Sequence, residues 1–371
     1  MHLFIVSERT LAIHLQYGFV GITKRNDFDW INIPANIHSA TERSQASMYA
    51  DISRVHEGDE ILLYLEKPLN DTLREGGRFI GVFEITSPQV FYEESGTYLL
   101  EELDLPLIYR LQMRPKAIYQ NGVTEWQAMD EMSDFKNAYD IPWSIIYRKM
   151  TGSRGCTPLL PHESNIIKKM LDLRNGGQIL NSLQIKYDTS SFNLITSETP
   201  NIDYTGRIEN FQNIRTRLLH LMNNTDRKWE IQLQAYLMQE LKRNQALTEL
   251  IFPQTTITWI GNEIYAGAGM QSIDVLVYSE SNYNNFIHLI ELKSVEANID
   301  AASQINRYIK WLKAHIPNIS IHQIIPTIIA PSINTNYDSE LKIYLKGHGI
   351  SQYRNIVVDN ALNFTQTIKT V

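Results

Sequence analysis

The feature that most constrains this chain lies near its C-terminal end. Residues 273 to 278 (Ile, Asp, Val, Leu, Val, Tyr) and 287 to 293 (Ile, His, Leu, Ile, Glu, Leu, Lys) are short, apolar and rich in β-branched residues, and a polar segment with Ser279, Asn282, Asn284 and Asn285 joins them. The pattern predicts neighbouring strands of a hairpin. Side chains in a strand alternate between faces, so Glu291 and Lys293 share one surface while Ile290 and Leu292 enter the opposite layer. Asp274, on the first strand, supplies a second carboxylate.

Two carboxylates and an ammonium on one surface suit a particular chemistry. Mg²⁺ binds oxygen ligands, keeps several waters and needs only one or two carboxylates. Such an ion polarises a phosphate and lowers the pKa of its bound water, and a nearby lysine can orient the nucleophile or offset charge on the phosphate. Residues 226 to 243 predict a preceding helix with Asp226 as N-cap and Lys242-Arg243 at its C-terminal end. Glu230 falls on the stripe of Leu233, Leu237 and Leu241 and should face the sheet as an outer metal or water ligand. Gln304 and Tyr308 stand one turn apart on a later helix, a pair that either packs locally or contacts the site.

In that order, Glu230, Asp274, Glu291-Leu292-Lys293 and Gln304-Ile305-Asn306-Arg307-Tyr308 resemble the PD-(D/E)xK nuclease superfamily, most closely its branch of archaeal-type mismatch and restriction endonucleases. Residues 323 to 333 resemble the later strand of that fold, and Ile273 stands where the family name has proline. The resemblance implies a mixed sheet flanked by helices over residues 226–371. It also implies Asp274, Glu291 and Glu230 as metal ligands, Lys293, Gln304 and Tyr308 as further site residues, Mg²⁺ (with Mn²⁺ as substitute) as cofactor, and double-stranded DNA as substrate.

The first half is a different module. Leu3 to Val6, Val20 to Ile22, Trp30 to Ile33, Glu60 to Leu65 and Phe79 to Ile85 predict short strands. Val55-His56-Glu57-Gly58-Asp59 running into Glu60 to Tyr64, followed by Arg78 to Ile85 with Gly81, resembles PUA-like β-barrels of the EVE and YTH branch. That resemblance covers roughly residues 1–170 and implies an aromatic pocket for a modified or flipped-out base. Trp30 is the first candidate. Tyr49 and Tyr64 follow, with Trp126 and Trp143 as walls, although for any one of these aromatics a core role is the more common explanation.

A chain of 371 residues exceeds one ordinary hydrophobic core, and 43% apolar with 20% charged residues is a globular balance. The predicted organisation is α+β or α/β in two domains, residues 1–175 and 226–371, with 176–225 as linker and connecting helix. No signal segment or long apolar run marks a membrane or export route, so the expectation is cytoplasmic. Cys156 is alone and the ten histidines show no metal-type pairing, which argues against zinc. Gly267-Ala268-Gly269 lacks the Gly-Lys-Ser/Thr of a phosphate loop, so no nucleoside triphosphate site is expected.

A net charge of −7 does not by itself suggest a nucleic-acid binder. Its distribution matters more. Residues 142 to 187 carry seven basic side chains against two acidic ones, including Arg148, Lys149, Arg154, Lys168 and Lys169, and a second basic group includes Arg215 and Arg217. These are the expected contacts to a DNA backbone, the alternative being ordinary solvated helix faces. The leading expectation is a Mg²⁺-dependent endonuclease that cuts DNA after the first domain recognises a modified base. The alternatives are a structure- or mismatch-directed repair endonuclease and a DNA-binding protein that does not cut. Two-strand cutting requires two active sites, so a homodimer is also expected.

Overall fold

The computed structural model describes residues 1–23, 39–67, 77–93, 98–129, 135–148, 155–206, 213–224, 227–267, 271–281 and 284–371. It divides into two compact units, Met1–Phe28 with Asp51–Phe211, and Asp29–Ala50 with Gln212–Val371. In chain order the first half forms β1 (His2–Val6), α1 (Glu8–Tyr17), β2 (Phe19–Thr23), α2 (Ser39–Ser53), β3 (Glu60–Leu65), β4 (Arg78–Ile85), β5 (Phe91–Tyr92) and α3 (Leu100–Leu103). It continues with β6 (Leu107–Ala117), β7 (Val123–Thr124), α4 (Glu125–Met129), α5 (Trp143–Arg148), β8 (Cys156–Pro158), α6 (Pro161–Arg174), β9 (Ile185–Asp188) and β10 (Asn193–Thr196).

The strands of the first unit form one mixed sheet in the order β2-β6-β4-β3-β1-β8, with β5 on β6 and β7 on β4. Among the described strands of this sheet only β1 and β3 run parallel. The sheet curls into a barrel because its two ends meet. Gly155, just before β8, lies so close to Ile22 of β2 that an added Cβ would sit 2.6 Å from Ile22 Cγ2, and its φ of +68° also favours glycine. Leu3, Leu62, Phe79 and Val82 fill the interior. This is the mainly β barrel expected of the first half; the residues of its expected strand at 30–33 lie outside the described ones.

Residues 176–206 are not the linker predicted from their polarity. They form the β9/β10 hairpin, and backbone bonds from Leu180 to Ile118 and from Leu194 to Gln120 tie them to the barrel. Tyr204 is 8% exposed and stacks on Phe19 at 4.9 Å between ring centres. One well-packed aromatic therefore anchors a segment whose composition is that of a loop. The predicted boundaries shift accordingly: the first unit extends to 211, and the second begins at 212 and includes residues 29–50.

The second unit continues with α7 (Asn213–Asn224), α8 (Glu230–Glu240), α9 (Gln245–Ile251), β11 (Thr256–Tyr265), β12 (Ser272–Ser281), β13 (Asn284–Leu292), α10 (Ile299–His315), β14 (His322–Ala330), α11 (Thr335–Gly347), β15 (Gln352–Val358) and β16 (Phe364–Thr370). Its six strands lie in sequential order, antiparallel from β11 to β13, parallel across β13, β14 and β15, and antiparallel again at β16. α10 and α11 are the crossovers that the parallel pairs demand. Ile287 to Leu292 are all buried, as in a strand covered on both faces. This is the mixed sheet flanked by helices that the nuclease resemblance implies.

If residues 176–206 belong to the barrel, Tyr204→Ala will cost about 3 kcal/mol of stability, the usual loss for a buried aromatic. Urea unfolding checks this; an unchanged midpoint would mark the segment as a tether.

Candidate active site

The site forms where the sheet ladder opens. Between β11 and β12 the register runs Asn262↔Val275 and then Ile264↔Ile273, skipping Glu263 and Asp274. Between β12 and β13 it ends at Val275↔Ile290, one step short of Glu291. Glu263 takes up the irregularity with a left-handed φ of +49°. β13 stays on β14, where Lys293 N donates to Ile329 O at 2.9 Å. Its other edge has left β12, and Leu292 N–H donates instead to Asp274 Oδ2 at 2.7 Å. The carboxylate thus replaces a missing ladder acceptor, which fixes its position beside Glu291.

The backbone carbonyl of Asp274 accepts from Gln234 Nε2 at 2.9 Å, and Gln234 Oε1 accepts from Asn262 Nδ2 at 3.3 Å. Both amides are buried, at 3% and 0% exposure. They restore from α8 and β11 what the opened ladder lost. Neither stands out in the sequence, since a glutamine on a helix and an asparagine on a strand carry no spacing signal.

Glu291 is 3% exposed and accepts from Lys293 Nζ at 2.7 Å through Oε1. Glu291 Oε2 is buried and has no hydrogen-bond partner. An unpartnered carboxylate oxygen beside a second carboxylate is costly unless a cation completes it. Burial raises the pKa of Asp274 well above the ordinary range, and the charge of Glu291 raises it further. Glu291 is also raised, by burial first, although Lys293 opposes the shift. Burial would lower the Lys293 pKa, but its pairing with Glu291 and the nearby Asp274 raise it on balance, so the ammonium stays charged.

Glu230 is the first residue of α8, and its Oε1 accepts from Ser294 N at 3.1 Å and Ser294 Oγ at 3.2 Å. It reaches the site, as its charge acts on Asp274 and Glu291, but its oxygen is engaged by Ser294. Among the described residues no three His, Cys, Asp or Glu side chains gather as a metal-binding group. Asp274 and Glu291 form the adjacent carboxylate pair, and Glu230 acts on both from the edge of the site. The helix itself is shorter than predicted: Asp226 lies outside the described residues, Lys242 is left-handed at φ +67°, and Asn244 caps the separate helix α9.

Tyr308 is 3% exposed, with its hydroxyl pKa raised by burial and by the charges of Glu291 and Asp274. Gln304 is half-buried one turn earlier. Arg307 was not singled out, yet its charge acts on Glu291 while its Nε donates to Gln271 Oε1 at 3.1 Å.

The other sequence candidates disperse. Trp30, Lys149 and Arg154 lie outside the described residues, and Arg148 closes α5. Tyr49 belongs to the second unit, where its hydroxyl donates to Gln239 Oε1 at 2.8 Å. Tyr64 is a core residue, 3% exposed, bonded to Glu125 and packed on Phe79. Trp143 Nε1 donates to Ala138 O at 2.7 Å, and Trp126 is 54% exposed. Lys168 pairs with Glu60 at 2.9 Å, and Arg217 is held by both oxygens of Glu42. Lys169 and Arg215 remain exposed. Sequence pattern cannot foresee the pairings of Lys168 and Arg217, because their partners are more than a hundred residues away.

No protein-family model and no curated protein matches the chain. Among solved structures it is similar to a repair endonuclease from Pyrococcus abyssi, at 20% identity over 29% of this chain and 41% of that one, with a TM-score of 0.22. It is similar to the human THYN1 protein, solved in complex with 5-methylcytosine-containing DNA, at 9% identity over 46% and 98% of the two chains, with a TM-score of 0.27. It is also similar to the restriction endonuclease FokI, at 10% identity over 51% and 37%, with a TM-score of 0.24. The chain spans less than half the length of these two nucleases. The chemistry of the site stands on its own residues.

Both carboxylate shifts are upward, so the folded chain holds these protons to higher pH than the unfolded chain does. Their contribution to stability without a cation is therefore most favourable below the ordinary carboxylate range of about 4 and is lost as pH rises through the raised values. Asp274→Asn keeps an acceptor for Leu292 N–H and removes the charge. In chelator, it should melt higher than the wild type at pH 8 and close to it at pH 4. A variant that melts lower at pH 8 would show that Glu291 and Asp274 are not in conflict.

Proposed function

We propose that this chain is a Mg²⁺-dependent DNA endonuclease that hydrolyses a phosphodiester bond after the first unit recognises a modified or flipped-out base. The observation that carries this reading is the opened ladder at Asp274. It places two carboxylates side by side, one with a buried unpartnered oxygen, next to a charged lysine on the same strand face. Asp274 and Glu291 would hold the ion, and Mn²⁺ would substitute. The ion would supply Lewis acidity and a more acidic bound water.

The chain's own residues then divide the remaining work. Lys293, held by Glu291 but still charged, faces where negative charge develops on the phosphate and acts most strongly in the transition state. Glu230, fixed through Ser294 at the start of α8, accepts from water at the edge of the site. Arg307 offsets the acidity that would otherwise repel a polyanion. In the first unit, Trp126 offers the exposed indole face that base stacking uses, and Lys169 supplies a backbone contact that carries little sequence information. Modification-dependent restriction or defence joins such a reader to such a nuclease. Among the described residues no helix is long and apolar enough to cross a membrane.

Asp274→Ala and Lys293→Ala should each lower single-turnover cleavage by about a thousandfold or more while DNA binding persists, because both losses fall on the chemical step. Glu230→Gln should cost less. The assay compares modified, unmodified and mismatched duplexes with Mg²⁺, Mn²⁺ or chelator; near wild-type cutting by Lys293→Ala would overturn the assignment, and preference for a mismatched duplex would redirect it to repair. Lys169→Ala should weaken binding to all duplexes alike and lower its salt dependence, whereas Trp126→Ala should reduce only the preference for modified DNA. A salt titration on matched duplexes separates the two, and unchanged discrimination in Trp126→Ala removes that residue from base reading.

A further inference from the structure

Helix α2 comes from the first half of the sequence, yet residues 29–50 belong to the second unit, while residues 51–53 of the same helix belong to the first. From Gln45 to Ser53 every residue is buried, polar ones included. A helix rich in polar residues and covered on this scale must satisfy those groups through specific partners. Glu42, 2% exposed, accepts from Arg217 Nε and Nη2 at 2.7 Å each and from Gln232 Nε2 at 3.2 Å, and lies 3.6 Å from Arg227 Nη1. Tyr49 binds Gln239 near the other end of α8. Ser47 Oγ donates to Glu263 Oε1 at 3.4 Å, and Glu263 is the left-handed residue that faces the gap at Asp274.

One helix thus ties α7, both ends of α8, and the irregular turn of β11. Gln232 is two residues from Glu230 on one side and from Gln234 on the other, and Gln234 holds the Asp274 carbonyl. A bidentate carboxylate–guanidinium pair fixes direction as well as distance, which a purely apolar contact would not.

We infer that α2 is a positioning helix for the nuclease site, with Glu42 as its key residue. It fixes α8 and the Glu263 turn, and through Gln234 it sets the backbone of Asp274. Glu42 touches no reacting atom. This inference rests on the nuclease reading of the Asp274 site, and its test keeps the two apart.

The test uses the full chain carrying Glu42→Gln, Glu42→Asp or Tyr49→Phe, with hydrogen exchange, single-turnover cleavage and duplex affinity measured on each. Misplacement of catalytic groups from a distance can cost about a hundredfold. Glu42→Gln should slow cleavage at least about tenfold at saturating DNA, with affinity within about twofold of wild type, and Glu42→Asp should recover part of the loss. Amides in 230–240, 260–266 and 272–276 should exchange faster, while those of α11, β15 and β16 stay as they were. Wild-type cleavage by a folded Glu42→Gln chain overturns the inference. So does faster exchange that is confined to α2 and α7, or that spreads evenly over the unit as general destabilisation would. If Glu42→Gln does not fold, Tyr49→Phe decides by the same criteria. If the wild type cuts no duplex, the nuclease reading fails and the exchange pattern alone judges the positioning role.

Discussion

Everything proposed for this chain depends on two strands parting at Asp274. In an unbroken sheet the Leu292 N–H would bond a backbone carbonyl, and a carboxylate at position 274 would have no reason to sit against Glu291. The parting leaves a donor that only a side chain can reach, and Asp274 takes it. A second carboxylate on the adjacent strand, 3% exposed, then creates a local excess of negative charge that the protein interior does not tolerate alone. Lys293 balances one oxygen, and a divalent cation would balance the rest. The backbone defect and the chemistry are therefore one feature.

Such a defect needs support from outside the sheet. Gln234 bonds the Asp274 carbonyl, Asn262 holds Gln234, Ser294 fixes Glu230, and α2 contacts α8 and β11. These supports come from separate stretches of sequence. They make the site a property of the whole second unit, including the part encoded before residue 51. The first unit is organised differently: its barrel closes by close approach at Gly155 and is locked by aromatics such as Phe19 and Tyr204, leaving Trp126 on its surface.

The strands of the site were legible in the sequence because period-two alternation is a local signal: it placed Glu291 and Lys293 on one surface, where their side chains now meet. Helical spacing likewise brought Glu230 toward the sheet. Local patterns could not show that Arg217 and Lys168, which looked like backbone contacts for DNA, are committed to Glu42 and Glu60. Nor could they show that polar residues 176–206 pack on the barrel, because one aromatic, Tyr204, outweighs a loop-like composition. The dependence of the site on Gln234 was invisible for a related reason: it follows from a gap in hydrogen bonding that no spacing rule encodes.

The most direct test of the central claim is thermal melting of the metal-free protein during a Mn²⁺ titration, without DNA. A cation that binds only the folded state raises the midpoint in proportion to the logarithm of its concentration once the site is saturated. The account predicts this rise for the wild type, and its loss in Asp274→Asn, whose melting should not respond to the ion. A wild-type midpoint that ignores Mn²⁺, or an equal rise in Asp274→Asn, would contradict the claim that the opened ladder is a cation site.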